Sequence, residues 1–346
     1  MPDHDKFLFD LNGYSPHPAA TPHRPSSTPE LTQLRARYVV VKGVYSADEV
    51  AAANAGVDAH LGAQRERRAG LRNTKEETAM SGDGSTGRLD LGRCLEWEPP
   101  HSDIFRQLLA HPRLVPYYTA LLGRGYRMDH LPLVLAQNVG AEGFQLHGGV
   151  TAPVTGAYQP HLEYSYRNGA MHNMLLGVTL QLVDHDPGDG GFCIVKGSHK
   201  ANYPMSEEMV HGAESAEHIY QPATRAGDVL LFSEAATHGS LPWTRSDKQR
   251  RVALFRFSPP NVAYGRNYLA EYCDEAGGAP QGWPAKMYDG LTEEQAAVLQ
   301  PPFAGRLDRV EVGFGDDGAV ATAMQKRAAE KKDFDKAVLG PKTTGL

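Results

Sequence analysis

The sequence predicts an α+β domain in which helices come first and a β-sandwich or barrel follows. Capped helical segments occur at both ends of the stretch from 46 to 123, whereas short β-rich runs separated by Gly, Pro and Asp turns recur through 133–257. Length adds a third observation: 346 residues with 41% hydrophobic content suffice for one large core or two ordinary ones.

Taken in order, residues 14–30, "YSPHPAATPHRPSSTPE", are too rich in Pro, Ser and Thr to bury surface and predict an exposed connection. Tyr38–Lys42 reads as a strand. Ser46 and Glu49 form a capping box that starts a helix with Val50, Ala53 and Val57 inward. Residues 62–100 are polar, charged and Gly-rich, which predicts a loop with a short helical piece. Ser102 is placed to cap "DIFRQLLAH", and Pro112 to open "PRLVPYYTALLG", which stops at Gly123. Strands are expected at Leu133–Gln137, Leu175–Leu182, Phe192–Val195, Asp228–Phe232 and Val252–Phe257. The stretch "TAMQKRAAEKKDFDKAVLG" reads as an exposed amphipathic helix. Three segments are thus expected: an N-terminal one (1–36), the main domain (37–258), and an irregular and helical extension packed on it (259–346).

A net charge of −6 with no uninterrupted basic block argues against nucleic acid as a partner. Cys94, Cys193 and Cys273 are odd in number and far apart, so neither a disulfide framework nor a Cys-x-x-Cys zinc site is expected. The opening "MPDHDKFLFDLNGY" lacks a basic n-region followed by an apolar run, and no apolar run reaches membrane-spanning length. A cytoplasmic protein without a membrane span is the expectation.

The β-rich block carries an ordered series: His161-Leu162-Glu163, then "DHDPGDGGFCIVKGSHK" (184–200), "AGDVLLFSEAATHGS" (226–240) and "SDKQRRVALFRF" (246–257). His-x-acid alone is weak, because 15 His and 41 acidic residues in 346 give about two such matches by chance. The order of the whole set is specific, and it resembles the phytanoyl-CoA dioxygenase family of Fe(II)- and 2-oxoglutarate-dependent oxygenases. Residues 38–258 carry the resemblance, together with the opening "FDLNGY". It implies a double-stranded β-helix, a cupin-like jelly roll, binding Fe(II), 2-oxoglutarate and O₂. The implied reaction hydroxylates a small organic substrate and releases succinate and CO₂.

Such iron needs three protein ligands on one face and three open positions, which two imidazoles and one carboxylate supply. On a strand, His161 and Glu163 would share a face, and His238 at a strand end would complete the set. Arg250, twelve residues on, offers the 2-oxoglutarate far carboxylate a bidentate fork that Lys cannot match. Arg251 would point the other way. Ser240 and Gln137 are further candidates for co-substrate contact.

The series departs from the family pattern at Glu163, which stands where Asp is usual. A competing first ligand is His147 in "FQLHGG". In that register the carboxylate position is Gly149, as in Fe(II) halogenases that bind chloride there; alternatively, His147 pairs with a carboxylate from the following loop. The usual interval to "GSHK" favours His161 and Glu163. A non-enzymatic jelly-roll binding protein is the remaining alternative.

Other features read as structure. "DPGDGG" is a turn, and "GSHK" fixes a loop near the site's mouth with His199 as a structural hydrogen-bonder. His101, Ser102 and Asp103 belong to a helix start. His172 lies close in sequence to the proposed ligands.

Overall fold

A computed structural model describes residues 16–17, 38–62, 77–214, 216–265, 283–302, 309–325, 333–334 and 336–338. Most of the Pro-rich stretch, Cys273 and most of the C-terminal stretch after Gln325 lie outside them.

A two-residue strand β1 (Pro16–His17) pairs with β2 (Tyr38–Val41). Helix α1 (Ala47–Leu61) begins with the expected capping box, the Ser46 hydroxyl accepting from the Glu49 amide while the Glu49 carboxylate accepts from the Ser46 amide. Strand β3 (Arg88–Gly92) lies inside the region expected to be loop. Its polar alternation, Arg88-Leu89-Asp90-Leu91, had masked it, since both polar residues face the interior.

Helices α2 (Asp103–Ala110) and α3 (Val115–Leu122) follow. Ser102 precedes α2 without a side-chain cap bond, and α3 starts at Val115 rather than Pro112, because residues 111–114 close a separate turn onto the His111 carbonyl.

Of the strands that follow, the five expected ones (133–137, 175–182, 192–195, 228–232 and 252–257) appear within a residue or two of their places, and the others are additional. In chain order they begin with β4 (Arg127–Met128), β5 (Leu133–Gln137), β6 (Phe144–His147), β7 (Tyr164–Arg167), β8 (Ala170–Asn173) and β9 (Leu176–Gln181). After these come β10 (Gly191–Val195), helix α4 (Glu207–Val210), β11 (Ile219–Tyr220), β12 (Val229–Ser233), β13 (His238–Leu241) and β14 (Arg250–Ser258). Helix α5 (Glu293–Val298) and the hairpin β15 (Arg309–Phe314) and β16 (Val320–Gln325) complete the described chain. The hairpin corrects the start of the expected C-terminal helix, since Thr322–Gln325 pair with Arg309–Val312 as strand, while residues 333–334 and 336–338 of that stretch are helical and the rest lies outside the described residues.

Two sheets face each other. The larger runs β1-β2-β12-β9-β14-β5-β3, with β4 also on β14, and the smaller runs β11-β10-β13-β6. One face of the larger sheet (Val39, Val178, Leu231, Ala253, Phe255) packs on α1, α2 and α3 through Val57, Phe105 and Tyr118 in one buried cluster. Its other face meets the small sheet: Tyr38, Val40, Leu230 and Phe232 pack against Ile194 and Ala236. This is the jelly roll of the α+β expectation, closed on one side by helices.

Strand alternation then assigns the interior wall. Leu230 pairs with Thr179, which pairs with Leu254, so Arg250, Val252, Leu254 and Arg256 all face inward. Arg250 pairs with Gln137, and Gln137 with Arg88, which makes a polar row across three strands. Arg251 points outward, to Asp58 and Asn54 of α1. On the opposite wall Ile194 pairs with His238 and Phe192 with Ser240, placing both β13 residues inside.

Candidate metal centre

β12 ends at Ser233, and a tight turn leads straight into β13. The Ser233 carbonyl accepts from the Ala236 amide at 2.9 Å, and its hydroxyl from the Ala235 amide at 3.1 Å. The turn is held from outside by "GSHK": the Ser198 hydroxyl accepts from the Thr237 amide at 2.7 Å and donates to the Val195 carbonyl at 2.7 Å. The expected loop-fixing role of that motif is therefore a grip on the residue before His238.

The turn brings Glu234 against His238, with Oε2 3.4 Å from Nε2. His147, at the end of β6, pairs with His238 across the sheet, and their ring centroids are 4.3 Å apart. One donor atom each from His147, Glu234 and His238 lies within 4.8 Å of the other two.

Each imidazole is oriented the same way. His147 Nδ1 donates to the Gln145 carbonyl at 3.0 Å and His238 Nδ1 to the Ala236 carbonyl at 2.8 Å. Tying Nδ1–H to a carbonyl fixes the tautomer and leaves Nε2 as the free lone pair. Glu234 Oε1 accepts from Arg256 Nε at 2.7 Å, so Oε2 alone is left to bind as a single-oxygen ligand.

Electrostatics prepare the same state. Burial, then the His238 charge, pushes the His147 pKa down to about 3, and burial lowers that of His238. Burial by itself would raise the Glu234 carboxyl, but Arg256 and the two imidazoles hold it at about 2. Two neutral imidazoles and one carboxylate fit a divalent iron with three positions open.

Glycine stands two residues after His147, so no carboxylate is offered there. Gly148 and Gly149 have φ of +85° and +90°, and a Cβ on Gly148 would stand 2.8 Å from the Glu234 carbonyl oxygen. Gly149 instead donates its amide to that carbonyl at 3.0 Å.

The favoured sequence pair is not brought to His238. His161 is exposed in a 3-10 turn (Pro160–Leu162), and the strand starts only at Tyr164. Pro160 opens this turn, the Gln159 and Pro160 carbonyls close it, and the period-two argument fails there. Glu163 instead accepts from the Tyr158 hydroxyl at 2.9 Å and lies 3.8 Å from Arg167. Glu234 was missed because its proximity depends on the turn. The available signal was an acid at the end of the apolar run "VLLFSEAA", where a charge must find a partner. The exposed His172, on β8, is not in the cluster.

Arg250 is 5% exposed; its Nη1 donates to Gln137 Oε1, and its Nε has no partner. Among the described residues no carboxylate pairs with it. Burial, with Arg88 nearby, lowers its pKa to about 10. A buried guanidinium without an anion is costly. Ring contacts link it to the cluster: Arg88 lies over Phe144 at 5.7 Å, and Phe144 is 4.9 Å from His147. Ser240 pairs with Phe144 on the same wall, its hydroxyl 3.4 Å from the Leu241 carbonyl. A cavity of about 200 Å³ opens over His147 and Glu234, walled by Val154, Leu162, Val210 and Tyr264.

A jelly roll with such a cluster on one inner wall and a buried arginine on the other has the architecture of the non-haem iron oxygenases. The profile of the phytanoyl-CoA dioxygenase (PhyH) family matches residues 35–252, and the chain belongs to that family. The protein is therefore an enzyme dependent on Fe(II) and 2-oxoglutarate. In fold it is similar to HygX from Streptomyces hygroscopicus with nickel and 2-oxoglutarate bound (19% identity, 76% of this chain and 89% of that one, TM-score 0.55). It is also similar to the same protein with nickel, 2-oxoglutarate and hygromycin B bound (18% identity, 76% and 89%, TM-score 0.54). No curated protein sequence matches the chain. Among the described residues no helix is long and apolar enough to cross a membrane.

Proposed function

We propose that the protein hydroxylates a small organic molecule, with Fe(II) held by His147, Glu234 and His238 and 2-oxoglutarate anchored at its far carboxylate by Arg250. The observation that supports this most directly is the pairing of two Nε2-directed histidines and a half-occupied carboxylate with a buried Arg250 that has no carboxylate partner among the described residues. Bound iron supplies the activation of O₂, coupled to oxidation of 2-oxoglutarate to succinate and CO₂.

The chain's own residues do the rest. Gln137 holds one edge of the Arg250 fork, and Ser240 stands on the facing wall for a second contact. Arg256 keeps Glu234 anionic and single-oxygen, which leaves three positions for co-substrate and O₂. Val154, Leu162, Val210 and Tyr264 wall the substrate cavity and limit water. Among the described residues that cavity lining holds no Lys or Arg, which favours an uncharged substrate over a CoA ester.

A second reading, halide transfer, draws on Gly149, which offers no carboxylate two residues after His147. Glu234 supplies a carboxylate by another route, and that favours hydroxylation. The test is an anaerobic titration of Fe(II) and 2-oxoglutarate, following the visible charge-transfer band of the chelate. Loss of the band in His147→Ala and Glu234→Ala, with retention in His161→Ala and Glu163→Ala, supports the assignment; the reverse pattern sinks it. Chloride-dependent shifts of the band would favour halide transfer.

A further inference from the structure

His185, in the turn between β9 and β10, is 6% exposed, and neither ring nitrogen has a hydrogen-bond partner. Burial, followed by the Arg250 and Lys248 charges, pushes its pKa down to about 3, so the ring is neutral. A neutral imidazole has one N–H and one lone pair. One nitrogen faces the Val183 carbonyl outside good hydrogen-bond geometry. A carbonyl favours the N–H on that side, which makes the other nitrogen an acceptor.

The neighbouring donor is Arg250 Nε, buried and also without a partner. The two side chains converge at Gly191: a Cβ there would stand 2.9 Å from Arg250 Nε and 3.4 Å from His185 Cδ2. Glycine at this position, with φ of +82°, keeps the space between them open. The imidazole has little freedom to leave. Its backbone exchanges two 2.9 Å hydrogen bonds with Thr224, and the Trp243 ring stands edge-on at 5.2 Å.

We propose that His185 is a positioning residue for the co-substrate clamp: the bond between the two is not closed in this structure, and a small shift across the open space at Gly191 lets the ring nitrogen accept the Arg250 Nε–H and fix the guanidinium plane, so that the Nη edge faces Gln137 and a distal carboxylate. The inference rests on the reading of Arg250 as the 2-oxoglutarate anchor. It separates two otherwise similar roles, because a residue acting through Arg250 affects only ligands that carry a distal carboxylate.

The test compares 2-oxoglutarate with 2-oxobutyrate, which keeps the chelating end and lacks the far carboxylate. Each is titrated anaerobically into the Fe(II)-loaded protein, with affinity read from the charge-transfer band. For His185→Phe the expected result is about tenfold weaker 2-oxoglutarate binding, with 2-oxobutyrate and Fe(II) affinities unchanged. His185→Gln, whose amide oxygen can accept, recovers most of the loss. Equal weakening of both oxo acids, or unchanged 2-oxoglutarate affinity, overturns the role of His185. A parent protein that does not prefer 2-oxoglutarate over 2-oxobutyrate overturns the Arg250 reading itself. Should His185→Phe not fold, His185→Asn, too short to reach Nε, is expected to show the same selective loss.

Discussion

Glu234 and His238 stand four residues apart and meet at 3.4 Å, Oε2 to Nε2, across the turn that joins β12 to β13. Glu234 lies in a turn and in neither a helix nor a strand, and the contact exists because the Ser233 carbonyl and the Ser198 hydroxyl close and clamp that turn. Glu234 is the carboxylate that completes the cluster.

Removing it is therefore expected to cost the metal. Glu234→Ala should weaken Fe(II) or Ni(II) binding by at least about a hundredfold, beyond the 10–100-fold typical of outer-shell changes. Arg256→Leu, which frees Glu234 Oε1, should fall within that outer-shell range. Equilibrium dialysis with metal analysis measures both; a Glu234→Ala protein that binds metal like the parent would remove Glu234 from the site.

On the proposed assignment Arg250 acts on the co-substrate and not on the metal. Arg250→Ala should raise the 2-oxoglutarate KM about 10–100-fold, the loss expected for hydrogen bonds to a charged group, while Fe(II) affinity holds. Arg250→Lys should rescue little, since a point charge lacks the fork. Succinate formation against 2-oxoglutarate concentration reads the effect.

Gly148→Ala tests the backbone beneath the cluster. A positive φ and an approach of 2.8 Å to the Glu234 carbonyl predict about 1–3 kcal/mol of destabilisation. Calorimetric unfolding should show it, and weaker metal binding should accompany it.

Acid stability should follow His185 and Asp129. Both pKa values are depressed in the folded protein, to about 3 and about 2, the first by burial and the second by His130 and the Tyr264 and Gly265 amides working against burial. The unfolded chain then binds more protons than the folded one, so stability present above the unfolded pKa declines as pH falls. For His185 the window runs from 6.5 down to about 3, and for Asp129 from 3.8 down to about 2. A folded His185→Gln protein should lose less stability than the parent between pH 6.5 and 4 in denaturant titrations.

Much of this arrangement was legible because it follows strand periodicity. Arg250 inward with Arg251 outward follows from alternation along a run the sequence marks with apolar residues, whereas His238, expected at a strand end, begins a separate strand, β13, and the pairing of Gln137 with Arg250 comes from the sheet register. Two parts were not. Pro160 bends His161 and Glu163 into a 3-10 turn, so a pairing expected on a strand never forms. Glu234 reaches the site through a turn whose closure depends on Ser198, 36 residues upstream, which no local pattern encodes. The polar alternation of Arg88 and Asp90 hid a strand for a related reason: this barrel interior is polar where it holds its ligands.

β14 carries Arg250 at one end and Arg256, the partner of Glu234, near the other, six residues apart on one face. At about 3.3 Å per residue the two Cα atoms are ~20 Å apart along a single strand. On the proposed assignment that strand works as a ruler, setting in backbone the offset between the co-substrate clamp and the arginine that holds the metal-binding carboxylate. A single-residue slip would turn both arginines toward the helices at once.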